Sequence, residues 1–334
     1  LTPNSAKLES IWSVLDTPAT THKNGIHAAP TGLSIDAGDV LAGVDAESNR
    51  HLLIPLLPGE AFAQDLSGDA VQLRRVDRNR TAYVSTVCIS RELDDVFAQF
   101  AKEICADLAD APSAVGHVVA AVARWKRLFA DASRRGPLTE AQLIGLLAEL
   151  HLLEEILKED PVRSLAVWTG PDNSQHDFRS RLAAAEVKAT MAREGRRIRI
   201  SSVEQLHAPQ DCSLTLAHTR FERHDSGDSL PASVDRILAL NVEQGGFEKK
   251  LLEAGYRRKH DPLYALDRYR IVDRRFYDVL DPTFPKITPA SFIGGILPAG
   301  VESLTYTVDV TNEPPYPLDA GTVAAVLHDL AGGS

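Results

Sequence analysis

Over the first ninety residues, apolar and polar positions change places every few residues. The runs GLSIDA, DVLAGVDA, HLLIPLL, AVQLRRVDR and TAYVSTVCIS are separated by Gly, Pro, Asn and Asp clusters. That punctuation predicts a small sheet or sandwich. No Gly-rich phosphate loop or catalytic set interrupts it, so an accessory or recognition module is expected there. The period then changes. Val96, Phe97, Phe100, Ile104 and Leu108 recur at helical spacing, and after Pro112-Ser113 so do Val118, Val119, Val122, Trp125 and Leu128. A break at 134–137 precedes a third helix over about 140–158, with Thr139 as its N-cap.

That third helix carries a polar residue in an apolar place. At 100° per residue, Leu150, Leu153 and Leu157 fall within about 40° of Leu146. Glu149 lies about 60° to one side, flanked by Leu152 and Ile156. A carboxylate facing a core needs a partner, a proton or a cation. Glu154 lies at the margin of the stripe and Glu155 opposite it.

Next come a short apolar run, Ala166–Thr169, closed by Gly170-Pro171, and a hairpin connection at Gln175–Arg181. Leu182–Thr190 reads as a strand despite its alanines, because a turn precedes it and it ends on a β-branched residue. Ile198–Ile200 alternates, Ser201–Leu206 forms a short helix, and Leu214–His218 is a strand. Residues 222–230 read as a polar loop, Pro231–Val242 and Phe247–Tyr256 as helices, and Tyr264–Ile271 and Ser303–Val310 as strands.

Composition narrows the class. With 44% hydrophobic and 25% charged residues, the chain is an ordinary globular protein. At 334 residues it is expected to hold about two domains. No window approaches a membrane span, and the opening LTPNSAKLES has no apolar h-region, so neither a membrane anchor nor a signal peptide is expected. Cys88, Cys105 and Cys212 lie too far apart for a disulfide framework or a metal spacing, which fits a cytoplasmic location. The net charge of −10 argues against a passive nucleic-acid coat. Most of it, −7, sits in residues 1–110, and basic side chains cluster later, at Lys188–Ile200 and Glu253–Arg275.

On a strand, residues two apart share a face, so Glu186 and Lys188 point the same way. Asp177, nine residues earlier on the hairpin partner, sits beside them. Two carboxylates and an ammonium on one sheet edge are the parts for metal-assisted phosphodiester cleavage. Oxygen ligation suits Mg²⁺, the cation polarises a phosphoryl oxygen, and the lysine offsets developing charge. A second Glu-x-Lys, Glu248–Lys250, lacks a strand and an upstream Asp and is assigned to a helix surface.

The order of these pieces carries a resemblance. QLIGLLAELHLLEEIL, VWTGP, HDF, AEVKAT and ISSVEQL, in sequence, resemble the PD-(D/E)XK nuclease superfamily with its αβββ core. More narrowly they resemble a bacterial family of PD-(D/E)XK proteins linked to restriction and phage defence. The resemblance implies an α/β fold, a mixed sheet flanked by helices, with an N-terminal β-rich module. It implies Asp177, Glu186, Lys188, Glu149 and Gln205 as catalytic residues, and Asp177, Glu186, Val187 and Glu149 as the metal set for Mg²⁺, with Mn²⁺ able to substitute. His176 stands where the proline of the motif would be. Arg193, Arg196, Arg197, Arg199, Arg257, Arg258 and Lys259 are the candidate nucleic-acid contacts. The expected organisation is an accessory module over 1–110, a nuclease core over 111–245 and an α+β extension packed on it over 246–334.

The implied activity is divalent-metal-dependent DNA endonuclease, in a restriction or phage-defence setting. The expected partners are DNA, an ATPase or methyltransferase of the same system, since the chain has no P-loop, and a second copy in a homodimer. A catalytically silent subunit that docks a partner and an RNA-directed nuclease remain open alternatives.

Overall fold

The alternating runs of the N-terminal region form five antiparallel strands, β1 (His27–Ile35), β2 (Gly38–Val44), β3 (Arg50–Pro55), β4 (Val71–Arg78) and β5 (Thr81–Cys88), in the order β1-β2-β3-β5-β4. The computed structural model describes residues 3, 5–16, 25–66, 68, 70–134, 136–160, 164–172, 174–240 and 242–332. Of the break read at 134–137, Arg135 lies outside them, as does residue 241 at the end of one predicted helix. Helix α1 (Ser5–Leu15), an addition to the sequence reading, precedes the sheet, and α2 (Asp94–Asp107) and α3 (Ala114–Arg134) follow it. Trp12, Phe97, Phe100, Trp125 and Phe129 form a continuous aromatic core, each ring within 6 Å of the next. His51 bridges Ser85 Oγ at 2.9 Å and Asp45 Oδ2 at 3.1 Å. The order is that of a hydrolytic triad, but Ser85 is 0% exposed.

The chain divides into two units, Leu1–Gly136 and Pro137–Ser334. The boundary drawn after residue 110 therefore falls inside the first unit. The reason is the Phe100 ring, which packs on both Trp125 and Phe129 and ties α3 to α2. Residues 246–334 belong to one unit with 137–245.

The second unit starts on α4 (Glu140–Glu159). Thr139 caps it through a reciprocal box: Thr139 Oγ1 accepts from the Gln142 N–H and Gln142 Oε1 from the Thr139 N–H. Such a cap stabilises a helix by about 1 kcal/mol. Its leucines pack on a four-stranded mixed sheet of order β10-β9-β7-β6. Strand β6 (Phe178–Arg179) runs antiparallel to β7 (Ala183–Thr190), β7 parallel to β9 (Ser213–Asp228), and β9 antiparallel to β10 (Tyr269–Asp278). Strand β8 (Arg197–Ile200) leaves that sheet and pairs with β11 (Tyr306–Asp309). Helices α5 (Leu230–Leu238), α6 (Gln244–Glu253), the one-turn α7 (Asp261–Tyr264) and α8 (Ala320–Leu330) complete the unit.

Strand β7 lies between two hydrophobic layers. Ala183, Ala185 and Val187 face α4, and Ala184 faces the cluster built on Ile198, Ile200, Leu214, Leu216 and Val308. Alanines let both layers close on this central strand, so packing overrides their helix propensity.

Two assignments are corrected. The polar loop expected over 222–230 is largely the far end of β9, where Glu222 pairs with Arg270 across to β10 and Arg223 with Glu140 and Asp267. The strand expected over Tyr264–Ile271 begins at Tyr269, because Asp261-Pro262 opens a helical turn, and the Tyr264 hydroxyl accepts the Leu138 N–H at 2.7 Å.

Candidate active site

The β6–β7 ladder is two residues long and ends at Phe178↔Ala185. Asp177, one position further, supplies its side chain in place of the next ladder acceptor: Asp177 Oδ2 accepts the Val187 N–H at 2.7 Å. A strand residue's N–H and C=O face the same neighbour, so the Val187 carbonyl points to this edge too. On the other side, the turn after α4 is laid against Asp177. The N–H groups of Thr169 and Gly170 both donate to the Asp177 carbonyl at 2.8 Å, and Trp168 bridges to Phe178. A methyl built at Gly170 would lie 3.0 Å from Asp177 Oδ1 and 3.2 Å from Glu149 Oε2. One point beside this glycine thus touches both carboxylates, and a larger residue there would crowd them.

Glu149 lies on the core side of α4, as its place in the apolar arc requires. The Trp168 indole N–H donates to Glu149 Oε2 at 2.8 Å. Glu186 is 2% exposed, and Lys188 Nζ approaches its Oε1 to 2.7 Å on their shared face. All three carboxyls are shifted upward. Burial pushes Glu186 to about 8, with the Asp177 charge adding to it and Lys188 opposing it. Burial and the Asp177 charge raise Glu149 well above its ordinary value, against the Trp168 bond. Burial raises Asp177, against the Val187 N–H and Lys188. Burial is the largest cause in all three, and like charge adds to it at Glu149 and Glu186.

Gln205 does not join the group: its Oε1 accepts the Ser201 N–H at 2.8 Å within a short turn, and among the described residues no hydrogen bond links its side chain to the carboxylates. His176 is buried and held down to about 4 by desolvation and by Arg179, so it occupies the proline's place as a neutral ring. Glu154 and Glu155 turn away, to Arg236 and Arg274.

The basic candidates divide. Arg193, Arg197 and Arg199 are exposed, Arg197 3.5 Å from Asp309. Arg196 is mostly buried and paired with Asp273. Arg257, at 5% exposed, is buried among packed residues and cannot lie along a surface strand. Arg258 is held by Asp235 at 2.9 Å and Asp261 at 3.3 Å, and Lys259 is exposed.

Lys250 also changes place. Read as helix surface, it is largely buried, and its Nζ donates to the Trp168 carbonyl at 2.6 Å and Asp172 Oδ2 at 2.7 Å. It holds the turn that carries Trp168 and Gly170. Strand context alone could not find it, because its partner lies 82 residues away. Other side chains on the Glu186 face were also missed. In register with Lys188 stand His218 on β9 and Arg275 on β10, and one row on stand Arg220 and Asp273. The alternation Leu214, Leu216, His218, Arg220 would have shown them, had β9 not been cut short at His218.

The donors at the edge are oxygens: the Asp177 and Glu186 carboxylates, with Glu149 and the Val187 carbonyl beside them. Hard oxygen donors fit Mg²⁺ or Mn²⁺, and the upward shifts are what a cation would reverse. Among the described residues, no group of three or more His, Cys, Asp or Glu side chains is placed to hold a metal ion. The fit is therefore to an open site of two carboxylates completed by main chain and solvent.

A mixed sheet with a helix beneath it, and an Asp followed by Glu-x-Lys at its edge, is the arrangement of the PD-(D/E)XK nuclease-like class. The chain belongs to the family described as "Putative PD-(D/E)XK family member, (DUF4420)", whose model matches residues 8–311. No curated protein and no solved structure matches it. Among the described residues no helix is long and apolar enough to cross a membrane.

Proposed function

We propose that the protein is a divalent-metal-dependent endonuclease that hydrolyses phosphodiester bonds in DNA, within a restriction or phage-defence system. The reading rests on one observation: Asp177 accepts the Val187 N–H at 2.7 Å beside the Glu186–Lys188 pair of the same strand. Two carboxylates and an ammonium side by side beyond the end of the short β6–β7 ladder are what supports the reading.

Asp177 and Glu186 would hold the cation, with the Val187 carbonyl beside them. When bound, such a cation supplies Lewis-acid polarisation of a phosphoryl oxygen and lowers the pKa of water. Lys188, 2.7 Å from Glu186 Oε1 on the same strand face, would orient the attacking water and offset charge gathering on the phosphoryl oxygens. The turn at Trp168–Gly170 limits how far Asp177 and Glu149 can move.

The test is incubation of modified and unmodified duplex DNA, and of RNA, with the protein in Mg²⁺ and in chelator. Endonucleolytic products from duplex DNA in Mg²⁺ alone are expected. Cleavage of RNA alone would move the substrate, and equal products in chelator would remove the metal.

A further inference from the structure

Residues in register across a sheet share a face. Strand alternation therefore places Lys188, His218 and Arg275 in one row on the Glu186 side, with Arg220 and Asp273 in the next. Arg196, at the entry to β8, reaches the same place and pairs with Asp273. Arg275 Nε lies 3.8 Å from Asp273 Oδ1, and its Nη1 lies 3.9 Å from Glu313 Oε1. Arg220 Nη1 donates to the Arg193 carbonyl at 3.0 Å. Arg196 and Arg275 thus approach one carboxylate, Asp273, Arg220 stands in register with it on β9, and Glu313 lies at the rim.

Several donors in this group are buried and unsatisfied. His218 is 2% exposed, and neither Nδ1 nor Nε2 has a hydrogen-bond partner. The Nε atoms of Arg196 and Arg220 are likewise buried without one. Leaving buried donors unmade is costly, and native structures rarely collect them without a reason. Burial and the surrounding arginines hold His218 down to about 4, so its ring is neutral and offers one N–H. The partly exposed guanidinium forks of Arg220 and Arg275 match phosphate in shape and charge, and the unsatisfied His218 ring and Arg196 Nε lie buried behind them.

We propose that His218, Arg196, Arg220 and Arg275 form a phosphate subsite for the nucleic-acid backbone, holding a phosphate of the strand next to the one cut beside Lys188. This rests on the nuclease reading of Glu186 and Lys188. His218 stands about 4.8 Å across the sheet from Lys188, and Arg275 one strand further, so a single strand crossing the sheet meets the lysine and then the arginines. Phosphate contacts of this kind set register and affinity without reading sequence.

The experiment is binding of a labelled duplex in metal-free buffer as a function of salt, by fluorescence anisotropy. Arg220→Gln and Arg275→Gln should each weaken binding several-fold and lower the slope of log K against log salt by about 1. His218→Gln should weaken binding with a smaller change in slope. His218 is buried, so the two arginine variants, at partly exposed positions, decide the matter if the histidine variant misfolds. Wild-type affinity and slope in both arginine variants would overturn the subsite. A second arm is a thermal-shift titration with inorganic phosphate, independent of cleavage. If wild type binds neither duplex nor phosphate, the subsite is wrong. If it binds phosphate but not duplex, and Arg220→Gln abolishes the shift, the assignment to a nucleic-acid strand is wrong. If duplex binding is lost as expected but wild type never cuts, the nuclease reading fails and the subsite stands.

Discussion

Lys188 Nζ and Glu186 Oε1 lie 2.7 Å apart on one face of β7, two residues from each other along the strand. The spacing is a direct product of the strand period. The ammonium is in ion-pair contact with a carboxylate of 2% exposure, and on the proposed function it would also stand as a charge beside the phosphate.

Lys188→Met separates these roles. Cleavage should fall by about 10²–10⁴, the usual range for one positioned acid–base or electrostatic group. Duplex binding should change little. Single-turnover rates alongside anisotropy make the check, and a variant that cuts within a few-fold of wild type would remove Lys188 from the chemistry.

The metal-free protein should lose stability as pH rises through the range set by Glu186. Its pKa is about 8 when folded against an ordinary 4.5. A carboxyl that binds its proton more tightly when folded stabilises the fold fully below about 4.5, and that contribution is lost as pH climbs through about 8. His176 and His218, both held down to about 4 from 6.5, act in the opposite sense over that lower range. The difference between wild type and Glu186→Gln therefore isolates the carboxyl. Melting temperatures in chelator from pH 5 to 9 should show wild type falling relative to the variant, and parallel curves would contradict the burial argument.

Much of this candidate site is legible in the sequence. Asp177, Glu186 and Lys188 came from strand period and hairpin spacing, and Glu149 from its angle on a leucine-rich helix. Local rules reach that far because each residue's placement is set within its own element or its immediate neighbour. Lys250 and Gln205 show where they stop. Helix context points Lys250 to the surface and the resemblance alone points to Gln205, whereas Lys250 is fixed by a tertiary bond to Trp168 and Gln205 by a local one to Ser201. The polar half of β9 looks like loop in the sequence because an exposed two-stranded ribbon stabilised by Arg–Glu pairs has no apolar face to reveal it. The helix–sheet boundary near Tyr264 failed for the reverse reason, since alternation there was accidental and Asp261-Pro262 decided the backbone.

Glu149→Gln keeps an acceptor for the Trp168 indole and removes a charge beside Asp177. The metal-free variant should be more stable than wild type by about 1 kcal/mol or less, a rise of a few °C at most. Its Mg²⁺- or Mn²⁺-induced shift should be smaller, because weaker binding stabilises the native state less by mass action. An unchanged metal-induced shift would make Glu149 a structural acid held by Trp168.

Lys250→Ala should act through the Trp168–Asp172 turn. It leaves the Trp168 carbonyl without its donor and leaves Asp172 facing Glu253, a carboxyl already pushed up to about 7 by burial and by Asp172 itself. A loss of about 1–3 kcal/mol in stability is expected, with weaker metal binding and a cleavage loss well short of that in Lys188→Met. Metal titration at a temperature where the variant remains folded tests this. Metal affinity equal to wild type would show that the turn does not position Asp177 or Glu149.

The central claim is that Asp177 and Glu186 hold the cation on which phosphodiester cleavage depends. Asp177→Asn tests it most directly, because the amide can still accept the Val187 N–H while the charge is gone. The measurement is the rate of nicking of supercoiled duplex DNA across a Mg²⁺ titration, wild type against variant, with folding followed by melting temperature. The account predicts a folded variant whose nicking rate falls by about 10² or more at any Mg²⁺ concentration. A folded variant that nicks at the wild-type rate, with the wild-type dependence on Mg²⁺, would contradict it.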